Sequence, residues 1–176
     1  MAEPATITIR AGRPGDAPSL AALGSRVFAE TFGAVNSPSD MALYLSRAYG
    51  LAQQSAELAD PRIGTLLAEI GTVLAGFAQV REGPAPGCVT GARPVELNRF
   101  YVDRPWQGQG VAPALMEAVR HEAARRGGVT LWLGVWERNE RAQAFYRKCG
   151  FVDVGTQPFV LGTDRQTDRI MSRPLP

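Results

Sequence analysis

Gln107-Gly108-Gln109-Gly110-Val111-Ala112 joins an extended segment, Val95 to Val102, to an amphipathic stretch running from about Val111 to Arg126. A strand that turns through glycines into a helix N-terminus aims backbone N–H groups and the positive end of the helix dipole at one point. Such a point binds phosphate. Glycine suits it because a Cβ would hold the backbone away from the phosphate oxygens and would disfavour positive φ. Pro113 takes one N–H out of the cradle, in a first helical turn where no helical partner is lost. A dinucleotide-binding Rossmann turn would want its third glycine where Pro113 stands, and the segment comes late in the chain; a structural glycine turn with no ligand is the other alternative.

A second constellation follows. Trp136-Glu137-Arg138-Asn139 ends a strand, and Asn139 is placed to cap the next helix. Within that helix Ala142, Phe145 and Cys149 form the core stripe. Asn139 and Tyr146 share a face two turns apart, roughly 10.5 Å along the axis. In the strand before the glycine loop, alternation places Glu96, Asn98, Phe100 and Val102 on one face.

The elements that must position these residues are legible from periodicity. Thr6–Arg10 alternates as a first strand. A helix starts near Asp16, a candidate N-cap, and carries Leu20, Leu23, Val27 and Phe28 at helical spacing. Asn36-Ser37-Pro38 reads as cap plus N1 proline for a second helix that stops at Gly50, and a third short helix spans about Leu51 to Leu58. Strands at about 63–70 and 72–80 form a hairpin at Gly71. Residues 82–94, with three Gly and three Pro, form a loop. Then come strand 95–102, helix 111–126, strand 129–135, helix 140–149 stopping at Gly150, and a closing hairpin of 151–160 with 167–171 around Gly162-Thr163. Strand, helix and strand across 95–135 demand a right-handed parallel crossover. The flanking hairpins demand antiparallel pairs, so the sheet is mixed, with helices on both faces.

At 176 residues the chain is one domain, 1–176, large enough to bury a core without staples. With 45% apolar and 20% charged residues its composition is ordinary for a globular protein. No run approaches a membrane span and the N-terminus lacks a basic-then-apolar signal pattern, so the expectation is a cytoplasmic protein with no membrane partner. Cys88 and Cys149 show no metal or redox spacing, and a single histidine, His121, cannot build a zinc site with them, so no metal is expected. His121 falls on the polar face of its helix, at i±4 from Glu117 and Arg125. The first 70 residues carry five Arg and seven acids, the rest fourteen Lys/Arg and ten acids. No basic run with interleaved aromatics points to nucleic acid. A homodimer is compatible with the sequence.

Gln107, Gly110 and Ala112 match the Gln/Arg-x-x-Gly-x-Gly/Ala loop of the GCN5-related N-acetyltransferases. Asn139, Ala142, Phe145-Tyr146 and Gly150-Phe151 match the second signature of that family, in the right order and spacing. The element order is also that of the family, so the resemblance spans essentially the whole chain and implies the acetyltransferase (GNAT) α/β fold with a mixed seven-stranded sheet. It implies acetyl-CoA as cosubstrate, held by Gln107, Gly108, Gln109, Gly110, Val111 and Ala112, by Phe100, Tyr101 and Val102 at the end of the preceding strand, and by Asn139 on the pantetheine arm. Tyr146 would protonate the departing thiolate, which suits a phenol near pKa 10 beside a thiol titrating from about 8.5 upward. An alkylammonium is only about 0.04% neutral at pH 7, so amine attack needs a proton acceptor or a water chain. Glu96 resembles the strand glutamate that serves as base in histone acetyltransferases; Glu137 and Glu30 are lesser candidates.

Residues 131–151, Gln166–Met171, Phe28–Gly33 and Asp40-Met41 look similar to the bacterial PaiA-type spermidine/spermine N-acetyltransferases. That implies a polyamine acceptor, with Glu30 and Asp40 joining Glu96 to hold its ammonium groups, and a rim loop at 82–94 able to alter amine choice. Another amine acceptor (amino acid, aminoglycoside or protein N-terminus) and a non-catalytic acyl-CoA-binding regulator are the alternatives.

Overall fold

The alternating and helical patterns resolve into seven strands and five helices in a computed structural model that describes residues 6–176. The strands are β1 (Ile7–Ala11), β2 (Ile63–Ile70), β3 (Val73–Glu82), β4 (Pro94–Val102), β5 (Thr130–Trp136), β6 (Val152–Leu161) and β7 (Asp164–Pro174). The helices are α1 (Ala17–Phe32), α2 (Pro38–Ala48), α3 (Leu51–Ala59), α4 (Val111–Arg125) and α5 (Glu140–Lys148). One mixed sheet runs β1-β2-β3-β4-β5-β7-β6, antiparallel at every junction except β4–β5.

Local chemistry explains most element ends. Ser37 sits in the extended region and its hydroxyl accepts the Asp40 N–H at 3.1 Å, with Pro38 filling the first helical position. Asn139 Oδ1 accepts the Ala142 N–H at 3.1 Å. Asp16 differs from its expected role. A short 3₁₀ turn, Pro14–Asp16, leads straight into α1, and the Asp16 carboxylate turns back to the Arg13 N–H at 2.7 Å and to Arg10 at 2.8 and 2.9 Å. It therefore caps the preceding turn.

The two faces of the sheet carry separate cores. On one, Leu115 and Val119 of α4 pack with Val80, Leu97, Leu131 and Leu133, and Ala142 and Phe145 of α5, with Cys149 just past it, add to its edge. On the other, Leu20 and Phe28 of α1 and Tyr49 pack on Leu67 and Phe77. Truncating one such leucine to alanine costs about 2–5 kcal/mol.

β4 has a bulge that the sequence pattern does not show. Gln79 faces Arg99 and Val80 faces Leu97, so Asn98 is an extra residue with no opposite number. The extra residue reverses the alternation. Val95 and Leu97 before it, and Phe100 and Val102 after it, all face α4. Glu96 therefore does not share a face with Phe100 and Val102 as strict alternation requires; it lies with Arg99 and Tyr101 on the α1–α3 side.

Arg99 braces that side. Its guanidinium is 2.7 Å from Glu57 Oε1, donates to Gln79 Oε1 and the Ala48 carbonyl, and lies 4.5 Å over the Tyr49 ring. Tyr49 in turn donates to the Tyr101 hydroxyl at 2.5 Å. This network ties the α2–α3 corner to the centre of the sheet, beside the bulge.

Candidate active site

The parallel ladder between β4 and β5 is short. It pairs Pro94, Val95 and Glu96 with Thr130, Leu131 and Trp132, and goes no further. Beyond Glu96 the two strands separate, and each keeps a backbone edge without a strand partner. A cleft of about 1140 Å³ passes between them, beyond the roughly 300–1,000 Å³ of a single small-ligand pocket. The sheet thus has an opening at its centre, reached from both faces.

On the α4/α5 face the cleft begins at the glycine loop. Gly108 and Gly110 adopt φ +77° and +86°, a region where an L side chain is strained, and a Cβ on Gly108 would otherwise meet open space. Among the described residues no acceptor takes the N–H groups of Gly108, Gln109, Gly110, Val111 or Ala112. Pro113, in the first turn of α4, has none to offer. Gln107 spends its side chain on the Val102 carbonyl at 3.0 Å, which clamps the loop to the end of β4. Gln109 folds back to the Pro105 carbonyl at 2.7 Å, and the Val111 side chain is buried in the core; neither lines the cleft, so they contribute backbone alone. Unpaired donors at a helix N-terminus fit a pyrophosphate.

Farther in, Phe100, Tyr101 and Val102 border the cleft along the unpaired edge of β4. The Tyr101 side chain itself is committed to Tyr49 on the far side. Asn139 lines the cleft as well. Its Oδ1 caps α5, which leaves its amide N–H₂ free to donate. Tyr146 is half-buried among Phe100, Phe145 and Phe151, with ring centroids 6.3, 5.5 and 5.8 Å away. Its hydroxyl has no partner among the described residues, and desolvation raises its pKa above the usual 10. The phenol stays protonated and can donate.

On the opposite face the cleft is walled by aromatic rings. Phe28 and Tyr44 stack at 4.6 Å, Phe32 meets Trp136 edge-on at 5.6 Å, and Tyr44 meets Phe159 at 5.5 Å. Two carboxylates also line it, Glu96 and Asp168. Glu96 Oε2 accepts two bonds from Arg81, at 2.9 and 2.6 Å. Asp168, on β7, lies inside the Gln166–Met171 segment that resembles the PaiA-type enzymes, but no spacing to other chemical groups singles it out there. It is 9% exposed, and burial pushes its pKa up to about 6.

The remaining expected residues lie elsewhere. Glu30 is exposed on α1 and does not line the cleft, which takes Val27, Phe28, Thr31 and Phe32 from that helix instead. Asp40 is occupied in a structural tie. Its Oδ1 accepts the N–H and hydroxyl of Thr163 at 2.6 and 2.8 Å, and its Oδ2 accepts from Ser37. These bonds lower its pKa and pin α2 to the β6–β7 turn, away from the cleft. Glu137 is exposed and also outside it. In the 82–94 loop, Cys88 and Val89 cover Trp132 and Ile170 and reach no part of the cleft wall. His121 is on the surface, 3.3 Å from Glu117. Among the described residues there is no cluster of His, Cys, Asp or Glu suited to a metal ion, and no helix long and apolar enough to cross a membrane.

A sequence model of the acetyltransferase (GNAT) family matches residues 27–151. An uncharacterized N-acetyltransferase of Mycobacterium tuberculosis is 35% identical over 160 residues, 91% of this chain and 98% of that one. An uncharacterized N-acetyltransferase of the pepI 3′ region of Lactobacillus delbrueckii subsp. lactis is 32% identical over 160 residues, 91% of this chain and 92% of that one. Among solved structures, the PaiA N-acetyltransferase of Thermoplasma acidophilum in complex with coenzyme A has the same fold, with a TM-score of 0.78 at 20% identity, covering 96% of this chain and 99% of that one.

Proposed function

The chain belongs to the acetyltransferase (GNAT) family, and on that premise we propose that it transfers the acetyl group of acetyl-CoA to a small primary amine by direct attack in a ternary complex. The observation that carries the reading is the opening between β4 and β5. It has free N–H donors at one end, an unpartnered phenol on one face of the sheet and carboxylates on the other. The loop donors hold the pyrophosphate, and the free edge of β4 and the Asn139 amide hold the pantetheine arm. That places the thioester where the two faces communicate. The amine nitrogen enters from the aromatic side and forms the C–N bond. As the C–S bond breaks, Tyr146 gives its proton to the thiolate; the burial that raises the phenol's pKa also raises that of a thiolate formed beside it.

A polyamine such as spermidine or spermine is the finer form of this proposal. The resemblance of residues 131–151 to the PaiA-type enzymes supports it, as do the aromatic rings, which attract ammonium groups through their faces. Its anionic partners are Glu96 and Asp168, since Glu30 and Asp40 lie outside the cleft. The test is thiol release from acetyl-CoA over a panel containing spermidine, simple monoamines, amino acids, an aminoglycoside and an alanine-ended peptide. Polyamine recognition predicts that spermidine reacts best and that its KM rises with ionic strength, because ion pairing at a partly exposed site is screened. Equal rates with neutral acceptors, insensitive to salt, would remove the polyamine and leave the acetyltransferase. No turnover with any amine would remove both.

A further inference from the structure

Two carboxylates face the acceptor side of the opening, and their surroundings differ. Glu96 already neutralises Arg81, and protonating it would give up that ion pair. Asp168 has no such commitment. It takes neither a hydrogen bond nor a salt bridge from any described residue, and burial is the sole influence on its titration. It stands opposite Trp136 of β5 and Gln157 of β6. Next to it is Gly134, where a Cβ would lie 3.1 Å from Asp168 Oδ2 and 3.3 Å from Gln157 Nε2. The carboxylate and the amide therefore converge on a space that a glycine keeps open, within the cleft wall. Across the cleft the titratable group that feels Asp168 is Tyr44 of α2, whose ionisation its charge opposes. β5, β6 and α1 bring Trp136, Gln157 and Phe32 there, none of which titrates.

We propose that Asp168 is the catalytic carboxylate of the acceptor side: it holds the incoming ammonium at the opening in the sheet and takes its first proton, with Gln157 as a neutral hydrogen-bonding partner. The proposal rests on the acetyltransferase reading above. The reaction removes two protons from the ammonium nitrogen. One passes through Asp168 to solvent and frees the lone pair that forms the C–N bond. The other, lost from nitrogen after attack, balances the proton that Tyr146 delivers to the CoA sulfur as the C–S bond breaks. Burial favours the first transfer from both sides, because desolvation raises a carboxyl's pKa and lowers an ammonium's. A carboxylate titrating near 6 is ionised at neutral pH yet close enough to it to serve as a base.

The test is Asp168→Asn, assayed with acetyl-CoA and whichever of spermidine, phenethylamine and an alanine-ended peptide the wild type acetylates fastest. Calorimetric CoA binding and a melting curve confirm that the variant is folded. The expected result is a fall in kcat/KM of about 100-fold or more with CoA affinity held within a few-fold. The wild-type pH profile should inflect near 6 and the variant should lack that inflection. A variant with wild-type kcat/KM, or one that retains the inflection, overturns the assignment while leaving the acetyltransferase intact. A wild type inert toward these three and toward the amino acids and aminoglycoside of the wider panel overturns the acetyltransferase reading and the role of Asp168 with it.

Discussion

Holding a carboxylate in the cleft wall without a cation should destabilise the fold, and Asp168→Asn should expose that cost without any assay of activity. The Asp168 pKa rises from 3.8 to about 6, for which burial is the cause. Because a raised carboxyl pKa means that the folded state disfavours the ion, the sign is opposite to that of a salt-bridged aspartate. The penalty is absent below about 3.8, grows as pH rises, and is complete above about 6. At full development the shift corresponds to about 3 kcal/mol, at 1.36 kcal/mol per unit, as a ceiling for a group beside an open cleft. Near pH 4.5 the same relation leaves about 1 kcal/mol. Asparagine is nearly isosteric and carries no charge, so it should be more stable than the wild type at pH 7.5, with the advantage shrinking by up to about 2 kcal/mol at pH 4.5. For a chain of this size that is a change of about 4–8 °C in the melting-temperature difference. Thermal melts of both proteins across this range, followed by circular dichroism, measure it. A difference that is flat with pH, or an asparagine variant less stable at pH 7.5, would refute the argument that Asp168 is desolvated and unpaired.

Tyr146→Phe should lower kcat by about 10²–10⁴-fold while KM for acetyl-CoA stays within a few-fold, as stopped-time thiol release would show. Because burial raises the phenol, the wild type should show no alkaline loss of kcat from its ionisation up to about pH 10, and a fall beginning near pH 8 would count against it. Gly110→Asp adds a side chain at φ +86° and a negative charge beside the loop donors, so calorimetry should find acetyl-CoA affinity reduced by more than about 30-fold in a folded protein; unchanged affinity would falsify the phosphate assignment. Arg99→Met should leave Glu57 buried and uncompensated and cost about 3–5 kcal/mol in chemical denaturation, whereas a loss under 1 kcal/mol would show that the network is not closed to water.

Much of this molecule is determined by short-range pattern. The glycine loop, the Ser37 and Asn139 caps and the Gly71 hairpin that joins β2 to β3 depend on residues within a turn or two of one another, so their types and spacing suffice to place them. The same holds for the pairing of Asn139 with Tyr146 on one face of α5. What the tertiary structure alone decided depends on partners distant in the chain. The bulge at Asn98 appears only when β3 is laid beside β4, and it moves Glu96 to the opposite face from Phe100. Asp40 is drawn out of the substrate role by Thr163, 123 residues away. Asp168 looks like any strand aspartate until Trp136, Gln157 and the Gly134 space surround it. The environment of a charge is a property of the packed interior, where low dielectric and missing partners set its cost, and no local spacing encodes either.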